Sequence, residues 1–368
     1  RAARDARGAP RGSPLTGRLR EDATVRFEDA VEASNIYGKG FFGTPESGGA
    51  LTLDRYEAVY LSEMVRAEIV DRRDRPLPWP EVFRRAVRTD PDFAVRYLVY
   101  RDLRQRGYVV RASGPPVAFA VLPRGGILHK TPSRFWVEAI SEREPFDLTR
   151  LFDLAERAQS AKKVLLLAVV DEESDLTYYR VRRPSPNGAL PPTPLATPAE
   201  GWLSTDRVTV HDAAAADALG RVLAYGSRVG DRLELSLLET AYLASTGQLT
   251  LKDAKSGRTV PLDRLVARAR RLDPGFSERL AAYRDLRARQ LVVKTGFKYG
   301  AHFRAYPRNP EHAHARYLVQ AVPESHRARW PTVAGGVRVA QGVRKEFLMA
   351  GVGAGDRVRF LSLERIRP

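Results

Sequence analysis

The stretch YRDLRQRGYVV at Tyr100–Val110 returns as YRDLRARQLVV at Tyr283–Val293. The repetition runs well beyond it. LTLDRYEAVYLS (51–62) recurs as LELSLLETAYLA (233–244), RFWVEAI (134–140) as RYLVQAV (316–322), and AERAQSAKKVLLLAVV (155–170) as VRVAQGVRKEFLMAGV (337–352). Those three blocks keep one offset of 182 residues and the YRDLR block one of 183. A register held to within one residue over four blocks means a duplicated unit of about 180 residues. It excludes a single undivided core for a chain of 368 residues.

The copies are joined by PSPNGALPPTPLATP, six prolines in the 15 residues 184–198. Proline removes backbone donors and stiffens extended chain, which predicts a linker over 184–200. Within each copy the pattern changes once. Residues 23–88 and 201–272 mix short strands with a helix at Asp54–Val65 or Ser236–Ala244, followed by a second helix in PWPEVFRRAVR or PLDRLVARARR. Residues 89–183 and 273–368 open on DPDFAVRYLVYRDLRQRG or DPGFSERLAAYRDLRARQ, where apolar residues at helical spacing follow an Asp-Pro start that reads as an N-cap. Short strands follow, then a helix (DLTRLFDLAERAQ), the apolar run VLLLAVV and a last strand LTYYRVR. The fold class is α+β (α/β): a tandem repeat in which each unit is a small α+β domain followed by a helix and mixed sheet. Residues 1–22, rich in arginine and poor in bulky apolar groups, predict a disordered basic tail.

Charge narrows the partner. The net charge is +17, and an excess of that size favours a polyanion, because each phosphate neutralised releases condensed counterions. The alternative is a basic surface that reflects only a GC-rich genome, since 52 of the 61 basic residues are Arg. With no cysteine, disulfides and thiolate metal sites are excluded, and a reducing cytoplasm is the expected compartment. No apolar run approaches the roughly 20 residues of a membrane helix.

The copies differ where chemistry would sit. KTGFKYGAHFRAYPRNPEHAHARYLV in the second copy faces RASGPPVAFAVLPRGGILHKTPSRFWV in the first, so Tyr306 falls opposite Leu122, His314 opposite Pro132, and Lys345 opposite Lys163. One copy holds Tyr, His and Lys; the other keeps the Lys alone. RNA carries its own nucleophile, the 2′-OH, so cleavage needs a base for that proton, an acid for the 5′-oxygen and a cation for the phosphorane, and no cofactor or metal. His suits the acid because its reference pKa is near neutrality, whereas Tyr, at about 10, is a weak base without cations nearby. Each residue alone has an ordinary reading. Four of six His (302, 312, 314 and 326) fall within 25 residues, a strand-end Tyr is commonly packing, and Lys345 follows Arg344 as any solvated charge would.

VVKTGFKYGAHFRAY, HARYLV and VRVAQGVRKEFLMA, with NIYGKGFFGTP and LDRYEAVYLSE in the first copy, resemble the archaeal tRNA-splicing endonuclease (tRNA-intron lyase) family over residues 23–368. Two fused copies resemble its homodimeric subtype, in which each chain carries one active and one structural unit. The resemblance implies a restriction-endonuclease-like nuclease domain, degenerate at 89–183 and catalytic at 273–368. It also implies precursor tRNA with a bulge–helix–bulge as substrate, and cleavage giving 2′,3′-cyclic phosphate and 5′-hydroxyl ends. Tyr306 would be the base, His314 the acid and Lys345 the cation, with Tyr299 and His312 as alternatives if the loop shifts register. Arg338 and Arg365 would clamp an unpaired base, Arg359 being the alternative to Arg365; plain phosphate contact is the other reading. The acidic DEESD (Asp171, Glu172, Glu173, Asp175), matched by the nearly acid-free GVGAGD, would dock on a partner chain, the alternative being a solvated hairpin tip.

Two rivals remain. One is a non-catalytic RNA-binding tandem protein. The other is a metal-dependent nuclease, for which Asp253-Ala254-Lys255 is the nearest motif and lacks a partner carboxylate.

Overall fold

The computed structural model describes residues 15–190 and 193–368. The chain forms two compact units. One comprises the described residues up to Ser141 with Ala161–Tyr178, the other Glu142–Ser160 with Tyr179–Pro368.

The first unit opens with β1 (Thr16–Leu19), β2 (Val25–Phe27), α1 (Ala30–Gly38), β3 (Thr44–Pro45), β4 (Leu51–Leu53), α2 (Arg55–Glu63), β5 (Glu68–Val70), β6 (Pro76–Leu77) and α3 (Trp79–Thr89). Its strands join in the order β3-β4-β2-β1-β5-β6. The position of β1 corrects the expected disorder of 1–22, whose first 14 residues lie outside the described residues. Gly17 and Leu19 turn inward, β1 pairs in parallel with β5, and a Cβ at Gly17 would fall 2.5 Å from Val25. A tail judged by mean composition hides a four-residue alternation of that kind.

The chain continues through α4 (Phe93–Gln105), β7 (Val110–Ala112), β8 (Phe119–Val121) and β9 (Phe135–Ser141). β10 (Phe146–Asp147) and α5 (Leu148–Ser160) belong to the second unit; β11 (Val164–Val170) returns to pair in parallel with β9, and β12 (Leu176–Arg182) follows. The first YRDLR lies on α4. Its Tyr100 is fully buried among Tyr56, Tyr60 and Phe119 rings, and Asp102 accepts from the Tyr178 hydroxyl at 2.7 Å. The motif is scaffold. The Asp-Pro before α4 is not its N-cap: Asp90 is the C-cap of α3 and pairs with Arg96 at 3.0 Å, while Asp92 takes the N-cap place without a capping bond to the backbone. Proline after a helix end explains this, because it cannot continue the preceding helix.

The second unit repeats the plan with β13 (Ala199–Leu203), β14 (Arg207–Val210), α6 (Ala213–Asp217), β15 (Ser227–Val229), β16 (Arg232–Ser236), α7 (Leu237–Ser245), β17 (Leu249–Asp253) and α8 (Leu262–Leu272). These strands join as β15-β16-β14-β13-β17. Then come α9 (Phe276–Ala288), β18 (Val292–Thr295), β19 (Phe303–Tyr306), β20 (Tyr317–Pro323), β21 (Arg327–Ala328), α10 (Trp330–Gly342), β22 (Glu346–Val352) and β23 (Val358–Ile366). Asp273 again caps the end of α8 and pairs with Arg279, so both Asp-Pro pairs stop a helix.

α5, encoded in the first copy, is buried in the second unit. Phe146, Leu148 and Phe152 are all fully buried. Phe146 meets Trp330 edge-on at 5.3 Å, and Phe152 comes so close to Gly351 of β22 that a Cβ there would lie 2.7 Å from its ring. The short pair β10–β21, with Phe146 opposite Ala328, extends the same attachment.

Candidate active site

The site grows from one end of a sheet. β19 runs antiparallel to β18 and to β20, and β20 runs parallel to β22. Tyr306 is the last residue of β19, His314 stands three residues before β20, and Lys345 immediately precedes β22. Ladder bonds fix these ends together: Arg316 N donates to Ala305 O at 3.0 Å and Glu346 N to Arg316 O at 2.9 Å. The three expected catalytic positions therefore share one edge of the sheet.

Tyr306 is 8% exposed and packs with Ala224, Val292 and Ala315. Alternation along β19 puts Arg304 on the same face. Its guanidinium carbon lies 5.8 Å from the Tyr306 ring centre and 6.0 Å from that of Tyr299, and its Nε donates to Thr295 O at 2.8 Å. Sequence reasoning passed over Arg304, although its place two residues before Tyr306 was the available signal. His314 is exposed, in a loop tied down by Asn309 Nδ2 donating to Arg221 O at 2.9 Å. His312 is exposed in the same loop.

Lys345 is half-buried. Arg344 before it has φ +55°, and Lys162 has the same φ in the first copy, so one left-handed turn presents Lys163 and Lys345 alike. Their surroundings differ. Lys163 Nζ donates to Ser133 O at 2.6 Å, whereas Lys345 Nζ makes a long bond to Val343 O at 3.3 Å and lies 5.8 Å from the Tyr299 ring centre. Tyr299 sits in a 3-10 turn, Phe297–Tyr299; a hydrogen bond from Lys298, with the charges of Lys345 and Arg304, holds its phenol below the ordinary value.

A cleft of about 430 Å³ opens beside Lys345, lined by Arg180, Arg182, Gln341, Arg344 and Glu364 among others. Arg180 and Arg182 pair with Glu364 and Glu346. Arg338 on α10 and Arg365 on β23 are exposed, and both charges oppose the upward push that burial gives the Tyr179 phenol. Gln341 Nε2 donates to Arg365 O at 2.8 Å, tying α10 to β23. Arg359 is engaged elsewhere, ion-paired with Glu324 and stacked 4.2 Å over Phe152. His302 stands apart from the triad. Burial lowers its pKa to about 4, and its Nδ1 accepts from Ala321 N at 3.1 Å, a structural arrangement.

The acidic segment is the exposed turn between β11 and β12. Asp171 Oδ1 accepts from the backbone of Glu173 and Asp175 at 3.0 and 2.8 Å, so this carboxylate shapes the turn, while Glu173 and Asp175 stay exposed at its tip with Glu172. Asp253 of the alternative metal motif likewise caps its own turn, accepting from Lys255 N and Ser256 N.

Comparison with known proteins agrees with this doubled plan. The N-terminal domain of tRNA intron endonuclease matches residues 16–83 and again 199–266; its catalytic C-terminal domain matches 93–178 and 276–360. The chain belongs to the tRNA intron endonuclease family. It is 37% identical to a tRNA-splicing endonuclease of Methanosarcina mazei over 358 residues, 96% of this chain and 99% of the relative. It is 33% identical to one of Halobacterium salinarum over 370 residues, 94% and 96% of the two chains. Both catalytic-domain matches take in the helix bearing YRDLR, but only the second contains Tyr306, His314 and Lys345. Among the described residues no helix is long and apolar enough to cross a membrane.

Proposed function

We propose that this protein cuts precursor tRNA at both intron boundaries, recognising a bulge–helix–bulge, by metal-independent transesterification in the second copy. The observation that carries this reading is the gathering of Tyr306, His314 and Lys345 at one sheet edge beside an arginine-lined cleft, in a member of the tRNA intron endonuclease family. The Tyr306 oxygen takes the proton of the 2′-OH, and the 2′-oxygen attacks phosphorus. Lys345 stabilises the added negative charge, and His314 gives its proton to the departing 5′-oxygen. The P–O5′ bond breaks, leaving a 2′,3′-cyclic phosphate and a 5′-hydroxyl. Arg338 and Arg365 would hold an unpaired base between guanidinium planes; both are exposed, and both charges act on Tyr179, which supports this reading. The cytoplasm is the compartment that this reading entails. A bulge–helix–bulge transcript incubated in EDTA is expected to be cut to those end groups. Linear 3′-phosphate ends, or cleavage abolished by EDTA, would overturn the chemistry.

The working form we propose is a homodimer, with the turn of Asp171, Glu172, Glu173 and Asp175 docking on the partner chain. The support is the contrast between an exposed acidic tip and a chain of net charge +17. Changing Glu172, Glu173 and Asp175 to lysine is expected to weaken self-association by about 10-fold or more, read by sedimentation. A variant of unchanged size and activity would rule the docking out.

A further inference from the structure

The proline-rich segment between the copies is more than a tether. Its described middle is hydrogen-bonded into the second unit. Gly188 N donates to Arg289 O at 2.9 Å, Leu190 N to Gln290 O at 3.0 Å, and Ala189 N, between them, to Pro307 O at 2.7 Å. Arg289 Nη1 adds a bond to Ser185 Oγ at 3.0 Å. Gly188 is required by the close approach, since a Cβ there would stand 2.1 Å from Gln290 O. With the backbone held on both sides, the Leu190 side chain packs against the cluster of Ala224, Val292, Tyr306 and Ala315.

The residues touched are those that fix the catalytic edge. Pro307 directly follows Tyr306, and Ala315 directly follows His314. Val292 is the register partner of Tyr306 across β18 and β19. Tyr306 closes a four-residue strand, and the eight-residue step from it to His314 is loop, which the strap joins Asn309 in restraining.

We infer that Gly188–Leu190 is a positioning element of the active site, a strap that holds the Tyr306 ring and both ends of the His314 loop in reacting geometry. The strap touches no substrate and acts through the residues it holds. It rests on the catalytic reading above.

The test is Leu190→Ala, with Leu190→Met as the conservative control, on the full chain with a bulge–helix–bulge transcript. Misplacement of a reacting group by a fraction of an ångström predicts a fall in kcat of about 10-fold for Leu190→Ala. KM should stay within about two-fold, since substrate contacts are untouched. Leu190→Met is expected to restore most of kcat, and Gly188→Ala to lower it in the same direction. An unchanged kcat would overturn the inference, as would a loss matched by an equal loss of folded protein in circular dichroism. If the unaltered protein leaves the transcript whole, the catalytic reading has failed and the strap falls with it. If the unaltered protein cuts and Leu190→Ala cuts equally well, only the strap has failed.

Discussion

His314→Ala is expected to lower single-turnover cleavage of a bulge–helix–bulge transcript by about 100- to 10,000-fold, the range for loss of a positioned general acid. The departing 5′-oxygen would then leave as an alkoxide, protonated only by water. Binding should survive, because affinity for RNA comes chiefly from phosphate contacts spread over a basic surface, and His314 is one exposed side chain of a loop anchored independently through Asn309. Gel shift and cleavage on the same preparation separate the two. Unchanged cleavage would remove His314 from the mechanism and bring forward His312, two residues away in that loop. Unchanged binding together with no cleavage by the unaltered protein would instead favour a non-catalytic RNA-binding role.

The second large effect concerns the first unit. Glu57→Ala is expected to destabilise it by about 4 kcal/mol, the scale for leaving several buried hydrogen-bond donors, one of them a guanidinium, without their acceptor. Glu57 is 1% exposed. It completes a capping box with Asp54 at the start of α2, accepts from Gly43 N at 2.9 Å, and pairs with Arg111 at 2.9 Å. Alanine would leave all three donors short of a partner. The lowest-lying transition in a denaturant titration should move to lower concentration; with two units, one global fit would not be meaningful. Acidity gives a second readout. Burial, then the neighbouring Asp54 carboxylate, push the Glu57 carboxyl above its ordinary range, with Arg111 opposing. The folded state thus holds this proton more tightly than the unfolded chain, and stability should decline as pH rises above the ordinary carboxylate value. That slope should be shallower in Glu57→Ala, where Asp54, itself raised by burial, still contributes, and a slope of opposite sign would refute the assignment. Glu239 repeats the device in the second unit, capping α7 with Ser236 and accepting from Gly226 N at 2.8 Å.

The duplication and the long helices were legible because they are written in local terms. The constant offset survives as the matched φ of Lys162 and Arg344, and the 3.6-residue periods of α4 and α9 fall where the sequence puts them. Three things were not legible. The two-residue strands β3 and β6 are too short to show alternation. The two Asp-Pro pairs carry the same residues as a helix start and serve as helix ends, because the proline stops the helix before it and the Asp accepts from the backbone two residues on rather than capping the next helix. The ordering of Gly188–Leu190 depends on carbonyls of Arg289, Gln290 and Pro307, about 100 residues onward, and no pattern within a proline-rich stretch reports a partner so distant. At the site, residue types pointed to Tyr306, His314 and Lys345 as candidates, but the guanidinium of Arg304 against two tyrosine rings needed the fold.

The placement of α5 bears on why both copies persist. Phe146, Leu148 and Phe152 are translated with the first copy and buried in the second unit. Deleting the first copy would strip the second of three apolar side chains, each worth about 2 kcal/mol in burial. A duplicate usually becomes free to disappear once its activity decays. Here part of the first sequence is the interior of the second unit, so the length of the first copy cannot be shed without exposing that interior.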